Sequence, residues 1–373
     1  MSQPAEKLES PGSSTGPAPR PVRVLVMDPS ATGRRSLADL LQRHGGIRVQ
    51  TLAGPAEWDP LRRDFDPQVL VLTMAAAAGH GSRFLESLLE TDPLPVVLCG
   101  GDDEGDSVLR CLDRGAVAAL PSPSTGSGDD LSDAPTLLIG EIHRAATAAL
   151  AYDCFKKRTA SEALPRDLWK AGAKSGAAPI IVMAAGEGGT AALQEILKAL
   201  PEDAPGVMVA TRLPQSQTGA FARRLAGLCR LEVKEAVPND VLRSGQVLIA
   251  PGNRHALLAA SIKAPHVEIV EGPLVGGQRP SFDVLFRSAA LAAGSRAVGV
   301  LLTGLGEDGV AGLAVLRAGG ARTAAQEGST CFAAESPRLA VESGAARDAV
   351  PLNKLPAWIL ENAVACLESE PTR

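Results

Sequence analysis

The sequence predicts an α/β protein made of two doubly wound units, a smaller N-terminal one and a larger C-terminal one. Three observations predict this. Short continuous apolar runs alternate with amphipathic helical patterns, as parallel strands covered on both faces require. The alternation runs twice, over about residues 21–123 and 179–367, and lapses between them. At 373 residues and 45% hydrophobic, the chain can bury two ordinary cores.

Residues 1–20, MSQPAEKLESPGSSTGPAPR, are rich in Pro, Ser and Gly and are expected to be a disordered tail. Next come the patterns VRVLVMD, RRSLADLLQRH, IRVQTLA, a short helix near AEWDPLRRD, QVLVLTM, SRFLESLLETD, PVVLCG, SVLRCLDRG and VAALP. The strand runs are aliphatic and end in polar or glycine turns, so they make one domain of five strands over residues 21–123. PSPSTGSGDDLSDAP (121–135) reads as loop by composition. TLLIGEIHRAATAALAYDCFKKR reads as a helix running into the connection, and SEALPRDLWKAGAKSGAA (161–178) as a hinge, so 124–178 is a linker with a helix. From Pro179 the alternation restarts, with IIVMAA, GVMVATRL, VEIVEG and AVGVLLTG as strands. ALQEILKAL, AFARRLAGL, VLFRSAALAAG and AGLAVLRAGG are the helices between them. No internal repeat is visible.

A net charge of -5 gives no basic surface for nucleic acid or anionic lipid. The six cysteines form no CxxC pair and no Cys/His cluster, so no metal or other cofactor is expected. Cys99 and Cys111 fall in or beside core segments and read as small hydrophobes. No apolar run reaches the roughly 18 residues of a membrane span, and the N-terminus lacks a secretory pattern. The expected location is cytoplasmic, without membrane insertion.

IIVMAAGEGGT (180–190) is a strand, a glycine-dense turn and a helix start, where α/β enzymes commonly place a nucleophile or cradle an anion. Its tip carries Gly186 and Glu187, which supply neither hydroxyl nor thiol. Thr190 is expected to N-cap the helix.

Longer strings carry a family resemblance. APGNRH (250–255), RPSFDVLFRSAA (279–290), LLTGLGEDGVAGL (301–313) and GGARTAAQ (319–326) resemble CheB, the chemotaxis receptor methylesterase. EVKEA (232–236) and GQVLIAPG (245–252) strengthen the match, which covers about residues 22–366 with a receiver-like domain in front. The resemblance implies hydrolysis of glutamate methyl esters and deamidation of glutamines on chemoreceptors by a Ser-His-Asp triad. The family's Gly-Ala-Ser-Thr-Gly-Gly turn is matched here by residues 184–189, which puts Gly186 at the serine position and Glu187 in the oxyanion turn. Its Gln-His-Met-Pro is matched by residues 211–214, which puts Arg212 at the histidine position. Asp308 is the retained triad aspartate.

Glycine offers no nucleophile, and arginine, with a pKa above about 12, is no general base near neutrality. Losing a triad serine or histidine costs about six orders of magnitude in serine hydrolases. The resemblance therefore implies a pseudo-methylesterase acting by binding or regulation. Its partners would be chemoreceptors or other chemosensory proteins, such as the receptor methyltransferase or histidine kinase. The alternative is an active methylesterase with rearranged residues, and a third reading is an anion-binding module at Gly186–Gly189. His255 reads as structural or as a cleft wall, and Thr211 and Ser329 as bordering the site. Arg212 is expected to pair with Asp308 and Glu187 in an ion cluster that fills the old triad cavity.

The receiver resemblance is eroded in the same way. Of the acidic pair after the first strand only Asp28 remains, followed by Pro29. Thr73 stands at the phospho-acceptor position, Gly100 at the switch position and Ser122 where a lysine belongs. With one carboxylate left, neither aspartyl phosphorylation nor Mg²⁺ binding is expected. Asp64 and Asp66 are expected at the opposite sheet end, and Asp102, Asp103 and Glu104 in a solvated loop. Without a working switch, the two domains are expected to be a fixed or loosely tethered pair.

Overall fold

Val22 to Met27 form β1, an inner strand of the first sheet, and Val24 to Met27 are fully buried. The computed structural model describes residues 21–44, 46–77, 82–100, 105–123, 130–148, 151, 164, 178–261 and 264–368. The N-terminal stretch, residues 102–104, Cys154 and nearly all of 161–178 lie outside the described residues.

The first sheet is parallel with order β2-β1-β3-β4-β5, from β2 (Ile47–Leu52), β3 (Val69–Thr73), β4 (Val96–Gly100) and β5 (Ala118–Pro121). This is the flavodoxin-like order, in which sites form at the carboxyl ends of the strands where the order reverses. Helices α1 (Ala31–Arg43), α2 (Trp58–Phe65), the single turn α3 (Met74–Ala76), α4 (Ser82–Thr91) and α5 (Gly105–Asp113) connect the strands. Ser30 caps α1 by accepting from the Gly33 N–H at 3.2 Å.

The connection differs from its composition-based reading. Helix α6 spans Asp130–Thr147, starts inside the stretch expected to be loop, and carries Pro135 within it. Pro135 withdraws one backbone donor near the helix start, and the buried stripe Leu138, Ile142 and Ala145 supplies the packing that holds the helix regardless.

The second sheet is also parallel, in the order β14-β13-β12-β6-β7-β9-β8. Its strands are β6 (Ile180–Ala185), β7 (Gly206–Thr211), β8 (Glu232–Glu235), β9 (Gln246–Ile249), β12 (Ala297–Leu301), β13 (Arg322–Gln326) and β14 (Asp348–Val350). Helices α7 (Gly189–Ala199), α8 (Gln215–Ala226), α9 (Phe282–Ala293), α10 (Val310–Ala318), α11 (Glu335–Glu342) and α12 (Leu355–Glu368) cover it. VEIVEG does not join this sheet: β11 (His266–Val270) pairs antiparallel with β10 (His255–Ala259) as a separate hairpin. Its alternating burial, against the continuous burial of β6 and β7, marks a one-sided strand.

The two halves share apolar surface. Leu109 and Leu112 of α5 fall in one buried cluster with Leu193 of α7 and Leu225 of α8. Leu138, Ile142 and Ala145 of α6 join first-sheet valines and, from the second half, Leu305, Phe332 and Ala333 in another. Arg224–Asp113 at 2.5 Å and Arg279–Asp133 at 2.9 Å cross the seam.

Candidate functional site

In the second sheet, β6 is flanked by β7 on one side and β12 on the other, so the topological switch point falls at its carboxyl end. The loops after these three strands carry Gly186, Arg212 and Asp308, and the fold brings all three sequence-singled residues to one place.

The turn after β6 is closed tightly. The Gly186 N–H donates to the Thr303 carbonyl at 2.8 Å. A Cβ added at position 186 would lie 2.8 Å from Gly304 Cα and 3.3 Å from the Thr303 oxygen. No side chain fits there without moving backbone, so this turn accommodates glycine alone. Helix α7 is capped at Gly188 (φ 78°), not at Thr190, which lies buried within its first turn. The glycine-dense turn reaches the helix two residues earlier than a cap at Thr190 would, and a Cβ at 188 would lie 2.6 Å from Phe332 Cβ.

Arg212 lies across the site. Its Nη2 donates to Asp308 Oδ2 at 2.6 Å, its Nη1 to the Pro280 carbonyl at 2.7 Å, and its guanidinium lies 3.9 Å from the Phe282 ring centroid. Planarity permits the fork and the stacking together. Asp308 also accepts from Ser281 Oγ (2.8 Å) and from the backbone N–H groups of Phe282 (2.9 Å) and Asp283 (3.1 Å) at the start of α9. Burial alone would raise its pKa. The Arg212 charge and the N–H donors outweigh that and hold the carboxyl below its ordinary value. Asp308 is thus a helix-capping anion with a fixed cationic partner.

Glu187 is not bonded to Arg212, contrary to the expected three-residue cluster. Its Oε2 accepts from the Leu305 N–H at 2.6 Å, and the side chain is 2% exposed. The donor direction of the Leu305 amide, in the neighbouring loop, decides this. Burial first, then Glu141, push the Glu187 carboxyl up to about 7, against the pull of Arg144, Arg212 and the Leu305 N–H.

Glu141 and Arg144, both on α6, were not singled out from the sequence. The Glu141 carboxylate takes the Arg144 guanidinium, and Arg144 also faces Glu187 and Asp308. The signal was present: charges at 141 and 144 interrupt the apolar stripe 138, 142, 145, which makes sense only against a polar partner. A cavity of about 60 Å³ remains at the seam, lined by Pro121, Glu141, Arg144, Arg212, Ser216 and Arg279 among others.

The bordering residues carry no nucleophile–base pair. His255 is buried, its Nε2 2.9 Å from the Pro273 carbonyl, while its Nδ1 accepts from the Ser281 N–H at 3.2 Å. Held at both ring nitrogens, it reads as a structural histidine. Thr211 Oγ1 is buried without a hydrogen-bond partner, and the Ser329 hydroxyl donates to Glu327 Oε1 at 2.8 Å. No disulfide joins the described cysteines, and no group of His, Cys, Asp or Glu among the described residues could hold a metal ion.

In the first sheet, Asp28 lies just past β1 and Thr73 ends β3, side by side one step beyond the Met27–Leu72 register. Asp28 accepts from the Ser30 N–H at 2.8 Å, and Thr73 Oγ1 is buried without a partner. A Cβ at Gly100 would run into Met74, whose side chain fills the space beside the end of β4. Burial first pushes the Cys99 thiol up to about 12, opposed by a hydrogen bond with Ser122. Asp66 stands at the opposite sheet end, paired with Arg23 and Arg62. Thr73→Asp is expected to lower stability by about 2 kcal/mol, since it buries a second carboxylate beside Asp28. It is also expected to take up no phosphate from acetyl phosphate, because among the described residues only Asp28 lies beside it to hold Mg²⁺. Urea unfolding and intact-mass measurement check both outcomes.

A five-stranded parallel sheet in flavodoxin-like order, a connecting helix and a second parallel sheet whose switch point gathers Gly186, Arg212 and Asp308 define a mixed α/β protein built on two parallel sheets. Residues 181–359 match the family model described as CheB methylesterase. "Protein-glutamate methylesterase/protein-glutamine glutaminase 5" of Anaeromyxobacter dehalogenans is 41% identical over 354 residues, covering 92% of this chain and 98% of that protein. "Protein-glutamate methylesterase/protein-glutamine glutaminase 3" of Geobacter metallireducens is 37% identical over 350 residues, covering 91% and 98%. Among solved structures, the Thermotoga maritima CheB methylesterase catalytic domain is 29% identical with a TM-score of 0.49, covering 50% of this chain and 99% of that one. The chain belongs to the CheB methylesterase family.

Proposed function

We propose that this chain is a chemosensory protein of the CheB type that no longer hydrolyses esters and acts by binding. In this reading residues 21–123 are a degenerate receiver, 124–178 the linker and 179–367 a methylesterase-like domain. The observation that carries it is the closure at Gly186: the serine position has no attacking atom and no room for one beside Gly304. The base position supports it, because Arg212 is committed to Asp308 and an arginine is no general base near neutrality. The proposed partners are chemoreceptors or other chemosensory proteins, met in the cytoplasm. No helix among the described residues is long and apolar enough to cross a membrane. Co-sedimentation of the full chain with receptor-containing membranes tests the binding. Enrichment over receptor-free membranes is expected, and equal recovery contradicts it.

The second reading, an active methylesterase, is favoured by the 41% identical relative whose name carries that activity. It requires a nucleophile from outside position 186. An anion cradle at Gly186–Gly189 is disfavoured because Glu187 already takes the Leu305 N–H and would repel a phosphate.

A further inference from the structure

We infer that α6 is latched onto the second domain through a proton shared in a buried charge cluster. Glu187 is the titrating group, and Glu141 and Arg144 are the contribution of α6. The latch stands apart from ester chemistry, since neither α6 residue belongs to the former triad.

The geometry contains an imbalance. Glu141 is 3% exposed, one of its oxygens takes Arg144, and the other, Oε1, is buried with no hydrogen-bond partner. Glu187, 2% exposed and on a separate segment, interacts with it electrostatically across the seam. An orphaned carboxylate oxygen near a second buried carboxylate is a costly arrangement while both are charged.

The surrounding charges do not cancel. From α6 comes Arg144, from the end of β7 Arg212, and from the loop after β12 Asp308. Among the described residues, Glu141, Glu187 and Asp308 thus face Arg144 and Arg212, one more carboxylate than guanidinium. The next groups outward are already engaged. Arg279 pairs with Asp133, Asp283 accepts from the Gly309 and Gly312 N–H groups, and Glu335 accepts from the Gly306 N–H. His143, the other titratable side chain on this part of α6, is exposed. One bound proton makes the cluster neutral.

The direction of the pH dependence follows from where the proton is held more tightly. With α6 docked, the Glu187 carboxyl is raised from 4.5 to about 7. With α6 released, water reaches it and it returns toward its ordinary value. The docked state therefore holds the proton more tightly. Docking is strongest below pH 4.5, weakens as pH rises toward 7, and stays at its weaker level above that.

Amide hydrogen exchange of α6 in the full chain, at pH 6 and pH 8 and corrected for intrinsic rates, tests the latch. Protection of the α6 amides is expected to fall about tenfold from pH 6 to pH 8, one pKa unit of linkage, while α9 protection stays constant. Glu187→Gln, neutral at every pH, is expected to hold the pH 6 level at both. Glu141→Gln provides a second variant and is expected to flatten the profile too. Corrected α6 protection that is equal at pH 6 and pH 8 in the wild type overturns the latch, as does an unchanged tenfold fall in both variants.

Discussion

Arg212→Ala is expected to lower the unfolding free energy by about 3 kcal/mol, the low end for breaking a buried ion pair. The Asp308 side chain is 8% exposed, and the substitution removes its ion-pair partner. The Ser281 hydroxyl and the Phe282 and Asp283 N–H groups remain as donors, which keeps the loss from being larger. The Phe282 face and the Pro280 carbonyl lose their contact as well. Arg212→Lys is expected to recover only part of the loss, because an ammonium has no planar fork to reach Pro280 and Asp308 while stacking on Phe282. Urea unfolding midpoints read the difference. A change within about 0.5 kcal/mol, the range of ordinary surface substitutions, contradicts the fixed pairing.

Gly186→Ser places a hydroxyl at the position proposed to lack its nucleophile, and it is expected to return no activity. Its Cβ would meet Gly304 Cα at 2.8 Å, so the loops after β6 and β12 must part to admit it. Such overpacking costs about 1–3 kcal/mol. The new hydroxyl would also find arginine at the base position and Glu187 on the Leu305 N–H. A lowered melting temperature with no methanol above background is the expected pair of outcomes. A stable, hydrolytic Gly186→Ser protein contradicts the closure.

The sequence carried much of this in readable form, since the continuous apolar strands β1, β3, β6, β7 and β12 are long enough to show their period. The end-of-strand positions of Gly186, Arg212 and Asp308 followed from the family motifs. Short strands such as β8, β9 and β14 were not legible as strands, because three or four residues carry no period. The strand β11 was read without its hairpin partner β10, because apolar residues alone do not say which sheet a strand joins.

The misses at the site have a shared physical cause. Glu187 was expected on Arg212 because charge complementarity is visible in sequence, whereas the Leu305 amide, 118 positions away, has no sequence signature. Glu141 and Arg144 acquire meaning only when α6 is laid over the second domain. Met74 beside Gly100 and Gly304 against Gly186 are close approaches that depend on loop geometry. Pairings between distant segments are set by packing and had to be seen in the structure.

Methanol release from a methylated chemoreceptor fragment, incubated with the full wild-type chain at neutral pH, tests the central claim most directly. Release no faster than the uncatalysed background is the result this account predicts. Enzyme-dependent turnover that scales with the concentration of this chain would contradict it, whichever residue supplied the attack.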